Sequence, residues 1–174
     1  CQNNQWAISE PTTRQARVAL ADRGPGFGIP SVRVDGNDVI ASFAVMDEAL
    51  ERARSGGGPT FIEAFTYRMG AHTTSDDPTK YRSAAEEEYW RQRDPIDRLR
   101  THLQATGELD ESQAAEIEAQ ATELAERVRR ETKALGRPDT ASMFEHVYAS
   151  ENPLVTHLFG RSVEVRHVVP GGAD

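Results

Sequence analysis

The sequence predicts an α/β fold: a mostly parallel sheet flanked by helices, followed by a helical C-terminal region. Three observations carry that prediction. IPSVRV (29–34) and FIEAFTYR (61–68) are β-rich runs separated by one helix-length segment, and strand, helix, strand in that order is the pattern of a parallel crossover. A polar stretch without apolar periodicity follows the second run, at the carboxyl end of its strand, where open α/β sheets bind ligands. From about residue 84 onward, apolar residues recur at helical spacing.

Taken in order, TTRQARVAL (12–20) predicts a short helix with Thr12 or Thr13 as its N-cap, stopped by RGPGFG (23–28). IPSVRV then alternates β-branched and other side chains as a strand does, and DGND (35–38) turns into a helix capped by Asp38 and running to about Ser55. SGGGP (55–59) ends that helix, because glycine allows left-handed backbone and Pro59 cannot continue it. FIEAFTYR is the second strand, and MGAHTTSDDPTKYRS (69–83) is a long polar loop. AEEEYWRQ (85–92) opens a short helix, and DPIDRLRTHLQ (94–104) another, with Asp94 as N-cap and Pro95 at the first helical position. Residues 110–135 form a longer helix whose Ile117, Ala121, Leu124, Val128 and Leu135 make one apolar stripe, expected to pack on the fold or on a subunit. A short helix begins in TASMFEHVYASENPL (140–154), and the tail from 153 to 174 has no assignable pattern.

Composition narrows the function classes. An apolar fraction of 37% in 174 residues is low for a self-contained globule and favours a piece that buries a face against a partner. The formal net charge of -8 opposes general affinity for nucleic acid or for an anionic membrane. Cys1 is the sole cysteine, so no intrachain disulfide or cysteine zinc site is expected, and a reducing cytoplasm fits. No apolar run approaches the roughly 20 residues of a membrane span, and no signal-like segment starts the chain.

A few residues could carry chemistry. Asn4 offers a neutral, hard side-chain oxygen of the kind Mg²⁺ accepts beside phosphate, although Asn3 and Asn4 taken alone are more commonly turn or cap amides. His72 sits in the polar loop among Thr73, Thr74, Ser75, Asp76 and Asp77 and can donate, accept or carry charge near neutral pH. His102, His146 and His157 lie in or near helices and His167 in the tail, with no spacing that pairs two imidazoles. Asp76 and Asp77 are expected to hold the loop through charge-assisted bonds to Arg68, Lys80 and Arg82. GPGFG lacks both the Walker lysine and the dinucleotide spacing, so it is read as a turn.

Together, NNQWAIS, RGPGFGIPSVRVDGNDV, IEAFTYRMGAHTTSDDPTKYRS and YWRQRDPIDRLRTHL resemble, in unbroken order over about residues 1–150, the α subunit of the thiamine diphosphate-dependent E1 component of 2-oxo acid dehydrogenase complexes. The branched-chain enzymes look closest. The resemblance implies a C-terminal portion of such a subunit: residues 1–83 as half of the diphosphate domain with the histidine loop, and 84–152 as the helical C-terminal region. It implies that thiamine diphosphate is held through Mg²⁺ by a split motif. The Asn4 side chain and the Trp6 carbonyl supply metal ligands, and an upstream G-D-G turn, absent from these residues, supplies the rest.

Gln2 stands where some relatives have a cofactor-contacting arginine, Trp6 replaces a more familiar tyrosine or phenylalanine, and Thr73 occupies the place of a regulatory serine. His72 matches the active-site histidine that approaches the cofactor and assists reductive acylation of lipoamide. The implied partners are an E1 β subunit in an α2β2 assembly, the lipoyl domain of E2 and a 2-oxo acid substrate. The chain alone is expected to be inactive. A pyruvate or acetoin substrate, or a truncated non-catalytic assembly module, are the alternatives.

Overall fold

The computed structural model describes residues 1–139, 142–150, 152–154 and 157. By contacts within the chain they divide into two compact units, Cys1–Ala115 and a second beginning at Glu116. His167 and most of the 153–174 tail lie outside the described residues.

The two β-rich runs pair as the sequence predicts. Strand β1 (Gln2–Asn3), β4 (Ser31–Asp35) and β5 (Phe61–Phe65) form one parallel sheet in the order β1-β5-β4. Val32 lies opposite Ile62, and Val34 opposite Ala64. Beyond β5 the pairing with the first strand continues, since Thr66 N donates to Asn3 O at 2.9 Å and Arg68 N to Asn4 O at 3.3 Å. All three strands therefore end together, and Asn4, Gly36 and Thr66 emerge along one carboxyl edge.

The helix between β4 and β5, α3 (Val39–Arg54), begins where Asp38 Oδ1 accepts the Ala41 amide at 2.9 Å, a cap worth about 1 kcal/mol. It ends through Gly56 and Gly58 at φ of 81° and 83°, conformations that a Cβ would strain. Helix α5 (Pro95–Thr106) starts on Asp94, with Pro95 in its first turn. Arg98 of α5 reaches back to Asp35 Oδ2 (2.9 Å), the Asn37 carbonyl (2.9 Å) and Asp38 Oδ2 (3.2 Å). Buried Asn37 accepts from Thr66 Oγ1 at 2.5 Å and donates to the Arg93 carbonyl at 2.9 Å. These bonds tie α5 to the carboxyl ends of β4 and β5, while Trp90 of α4 (Ala84–Arg91) stacks on Tyr67 at 5.3 Å and 4°.

Two expectations fail near the N-terminus. The helix α1 spans only Thr12–Gln15, its N-cap is Pro11, and no side chain caps it. Thr12 is drawn elsewhere: its hydroxyl donates to Asn3 Oδ1 at 3.2 Å and its amide to Gln5 O at 2.8 Å. A two-residue ribbon of β2 (Trp6–Ala7) and β3 (Glu10–Pro11) precedes it. RGPGFG is also more than a turn, because a 3₁₀ turn at Leu20–Asp22 runs into a single helical turn, α2 (Arg23–Gly26), before Gly28 at φ 70° leads to the strand. Gly24 is buried there, and a Cβ on it would lie 3.0 Å from the Ile29 carbonyl and 3.2 Å from Phe61 Cβ. That close approach selects the compact turn.

The buried interior among the described residues is small and unusually polar. Ala21, Val34 and Tyr67 are its apolar members, beside Asn3, Asn37, Glu63 and Arg82. Val39, Ile40, Phe43, Met46 and Leu50 of α3 are all exposed, Phe43 at 73%. The helix predicted over 110–135 is present as α6 (Glu111–Ala134), and Ile117, Leu124 and Val128 of its stripe are about half exposed. A four-residue helix, α7 (Ser142–Glu145), follows. No helix among the described residues is long and apolar enough to cross a membrane.

Candidate functional site at the carboxyl edge of the sheet

The NNQW stretch leaves β1 through a strained corner. Gln5 at φ 69° and Ile8 at φ 57° are left-handed although neither is glycine, a conformation uncommon for such residues. Side-chain amides hold it. Asn3 Oδ1 accepts the Gln5 amide at 3.1 Å, and Asn4 Oδ1 accepts the Trp6 amide at 3.1 Å, so consecutive asparagines make two overlapping side-chain turns. Gln5 Nε2 adds a bond to the Thr66 carbonyl at 2.8 Å.

Gln2, Asn4 and Trp6, singled out by sequence, line one pocket of about 350 Å³, together with Thr12, Gln15 and Arg23. Its donor set suits a hard cation. Asn4 Oδ1 keeps a lone pair beyond its bond to Trp6, and the Trp6 carbonyl receives a long 3.4 Å contact from Arg68 Nη1. Both are neutral oxygens of the type Mg²⁺ accepts where phosphates supply the charge. Among the described residues no group of three or more His, Cys, Asp or Glu side chains could hold a metal. The candidate metal ligands of this pocket are thus neutral oxygens, and Arg23 is a charged member of its lining.

His72 does not line that pocket. It lies exposed on the polar loop, and its backbone amide donates to Asp76 Oδ2 at 2.8 Å. A chain of bonds nevertheless joins the loop to the amide corner. Asp76 Oδ2 accepts from Tyr81 Oη at 2.5 Å, Tyr81 accepts from Arg68 Nη2 at 3.0 Å, and Arg68 donates to the carbonyls of Trp6 and of Ile8 (2.6 Å). The rings of Trp6 and Tyr81 pack at 5.3 Å alongside this chain. The Tyr81 hydroxyl, then the His72 amide, hold the Asp76 carboxyl below the usual carboxylate range.

The expected ion pairs of Asp76 and Asp77 with Arg68, Lys80 and Arg82 take another form. Asp76 reaches Arg68 through the Tyr81 phenol, and Asp77 Oδ1 caps the 3₁₀ turn Pro78–Lys80 by accepting from Thr79 N and Oγ1. Arg82 is buried and pairs with Glu87 at 2.9 Å, while its guanidinium also donates to the carbonyls of Arg68, Met69 and Gly70. A side chain with five donors in a fixed fork can gather three carbonyls and a carboxylate at once. The loop's first turn is therefore anchored from inside.

Beneath the corner sits Glu63 in the middle of β5, completely buried. Its Oε1 accepts from Asn3 Nδ2 at 2.7 Å and lies 3.5 Å from Arg33 Nε, and its Oε2 accepts the Ala21 amide at 2.8 Å. Burial pushes this carboxyl upward. The bonds from Asn3 and Ala21 and the Arg33 charge outweigh that, leaving it below its ordinary value. Glu63 thus contributes stability above the unfolded-state value of about 4.3, and that contribution is lost as pH falls through the lower folded value. Melting curves should show wild type above Glu63→Gln at pH 7, with the gap closing as the pH drops below about 4.

Sequence reasoning passed over Glu63, Tyr81 and the part Arg82 plays in gathering carbonyls, having named Arg82 only as a partner for Asp76 and Asp77. A lone carboxylate inside an otherwise apolar strand was the legible signal for Glu63, because such a charge must find partners when buried. Arg82 and Tyr81 had no such mark.

Residues 1–140 match the family model described as dehydrogenase E1 component. The chain belongs to this family. Among its relatives, the 3-methyl-2-oxobutanoate dehydrogenase subunit alpha of Mycobacterium tuberculosis (strain ATCC 25618 / H37Rv) is 50% identical over 157 residues, which cover 87% of this chain and 42% of the relative. The pyruvate dehydrogenase E1 component subunit alpha of Acholeplasma laidlawii is 43% identical over 155 residues, 87% of this chain and 45% of that one. The mitochondrial 2-oxoisovalerate dehydrogenase subunit alpha of Bos taurus is 44% identical over 150 residues, 85% and 33% respectively. The E1 chain described here therefore spans less than half the length of these curated relatives.

Proposed function

We propose that this chain is the C-terminal portion of the α subunit of a thiamine diphosphate-dependent branched-chain 2-oxo acid dehydrogenase. The observation that supports it most is the gathering of Gln2, Asn4 and Trp6 around one pocket at the carboxyl edge of the sheet, in a chain that belongs to the E1 family. In this reading the Asn4 side-chain oxygen and the Trp6 carbonyl would ligate Mg²⁺, and Gln2 would contact the diphosphate. Residues 1–83 form the cofactor half-domain and 84–152 the helical C-terminal region.

When bound, thiamine diphosphate supplies the carbanion chemistry that decarboxylates the 2-oxo acid. The chain's own residues orient and protect it. The left-handed turn at Gln5 presents the Asn4 oxygen beside the Trp6 peptide, and the Arg68–Tyr81–Asp76 chain holds the loop that carries His72. From that loop, the His72 imidazole moves a proton during acyl transfer to the lipoyl group of E2. An E1 β subunit completes the site in an α2β2 assembly, in the cytoplasm. The 43% identity to a pyruvate dehydrogenase subunit supports a second reading, in which the same site works on pyruvate.

Calorimetric titration of the full-length α/β assembly with thiamine diphosphate and Mg²⁺ tests the site. Asn4→Ala is expected to raise the Kd at least tenfold, since even changes one shell away from a metal cost about 10–100-fold. Unchanged affinity would remove Asn4 from the metal shell. Turnover compared across branched-chain 2-oxo acids and pyruvate separates the two substrate readings.

A further inference from the structure

We propose that buried Glu63 is a positioning residue for the metal-binding corner, acting through Asn3. The inference rests on the Mg²⁺ role of Asn4 given above and concerns what sets that role up. Glu63 is fully buried, and its carboxylate can only accept hydrogen bonds. Facing Oε1 at 2.7 Å, the Asn3 carboxamide must turn its NH₂ toward the sheet. Its oxygen must then point the other way, where it accepts from Gln5 N at 3.1 Å and Thr12 Oγ1 at 3.2 Å.

The polarity of one buried acid thus passes through Asn3 to the Gln5 amide. That amide belongs to the residue held at φ 69°, between Asn4 and Trp6. Flipping Asn3 would aim an NH₂ group at the Gln5 N–H, and the left-handed turn would lose the acceptor that holds it. The Ala21 amide, donating to Oε2 at 2.8 Å, fixes the other carboxylate oxygen, and Arg33 Nε lies 3.5 Å from Oε1 itself. Glu63 is too deeply placed to touch a metal in the pocket that Asn4 lines, which it does not itself reach.

The arrangement has a polarity-exchanged equivalent. In the double variant Asn3→Asp with Glu63→Gln, the carboxamide introduced in β5 donates to the new carboxylate in β1 and still accepts the Ala21 amide. That carboxylate in turn still accepts from Gln5 and Thr12. Shape and the bonds to position 3, Ala21, Gln5 and Thr12 are kept while donor and acceptor trade places, and the 3.5 Å approach of Arg33 Nε loses its carboxylate. Either single variant breaks the pattern: Asn3→Asp sets two carboxylates together, and Glu63→Gln presents a donor to a donor at Asn3 or at Ala21.

The test measures Mg²⁺-supported thiamine diphosphate affinity by calorimetry on the full-length α/β assembly, with the melting temperature of each cofactor-free variant recorded alongside. Each single variant should bind about tenfold more weakly, and the double variant should return to within about threefold of wild type, on the scale of outer-shell substitutions. Failure of the double variant to recover affinity while its cofactor-free melting temperature matches wild type overturns the proposal. Wild-type affinity in both single variants overturns it as well. If one single variant does not assemble, the other and the double decide by the same criteria. Asn4→Ala, run in parallel, separates the two levels: unchanged binding there removes the metal site itself, whereas weakened binding there with no rescue at positions 3 and 63 removes only the role of Glu63.

Discussion

Arg82→Ala should lower stability by about 1–3 kcal/mol, the cost of leaving buried polar groups without their hydrogen-bond donor. The Arg82 side chain is 1% exposed and bound to Glu87 at 2.9 Å. Its loss strands that carboxylate and leaves the carbonyls of Arg68, Met69 and Gly70 without their shared donor. The guanidinium also lies over the rings of Tyr67 and Tyr81, at 5.5 and 5.9 Å. Lysine would not restore the site, because a point charge cannot reproduce the forked contact. Urea denaturation of wild type, Arg82→Ala and Arg82→Lys measures the loss, and limited proteolysis should find the 69–77 segment cut faster in both variants. A change below about 1 kcal/mol, within the range of surface pairs, would show that the anchor is dispensable.

Glu63→Leu should cost about 2–6 kcal/mol, because it leaves two buried donors, Asn3 Nδ2 and Ala21 N, without acceptors at about 1–3 kcal/mol each. Unlike the exchange of polarity argued above, this variant offers no bond of either sense. The loss should be largest near neutral pH and smaller in acid, where the wild-type carboxyl is itself protonated. Denaturant midpoints followed from pH 7 to well below the unfolded carboxylate value of about 4.3 measure both statements. Equal losses across that range would mean that packing, not the charge, holds Asn3.

How much of this was written legibly in the sequence differs by residue. Asp38 and Pro95 announce their helices because capping is local chemistry, decided within four residues. The parallel sheet is equally legible, since two strands and the helix between them sit in one continuous stretch. Thr12 illustrates the opposite case. Its type and position suit a cap, yet a partner nine residues away claims the hydroxyl, and only the folded chain reveals that competition. RGPGFG hides its helical turn for a related reason: the close approach of Gly24 to Ile29 and Phe61 is a property of packing, not of glycine and proline frequency. At the site, Asn4 and His72 stand out by family likeness, while Arg82 and Tyr81 act through carbonyls and a phenol that any surface residue could have offered.

The aromatic pairings have a spectroscopic consequence. The chain contains two tryptophans, and the fold sends them to different duties: Trp6 packs on Tyr81 at the histidine loop, whereas Trp90 stacks on Tyr67 and meets Phe65 edge-on where α4 covers the sheet. Replacing Trp90 by phenylalanine leaves a single indole in this stretch of chain, seated beside the loop. Its emission would register movement of the loop without any attached dye, while the indole at position 90 in the reciprocal variant would register only the seam between helix and sheet.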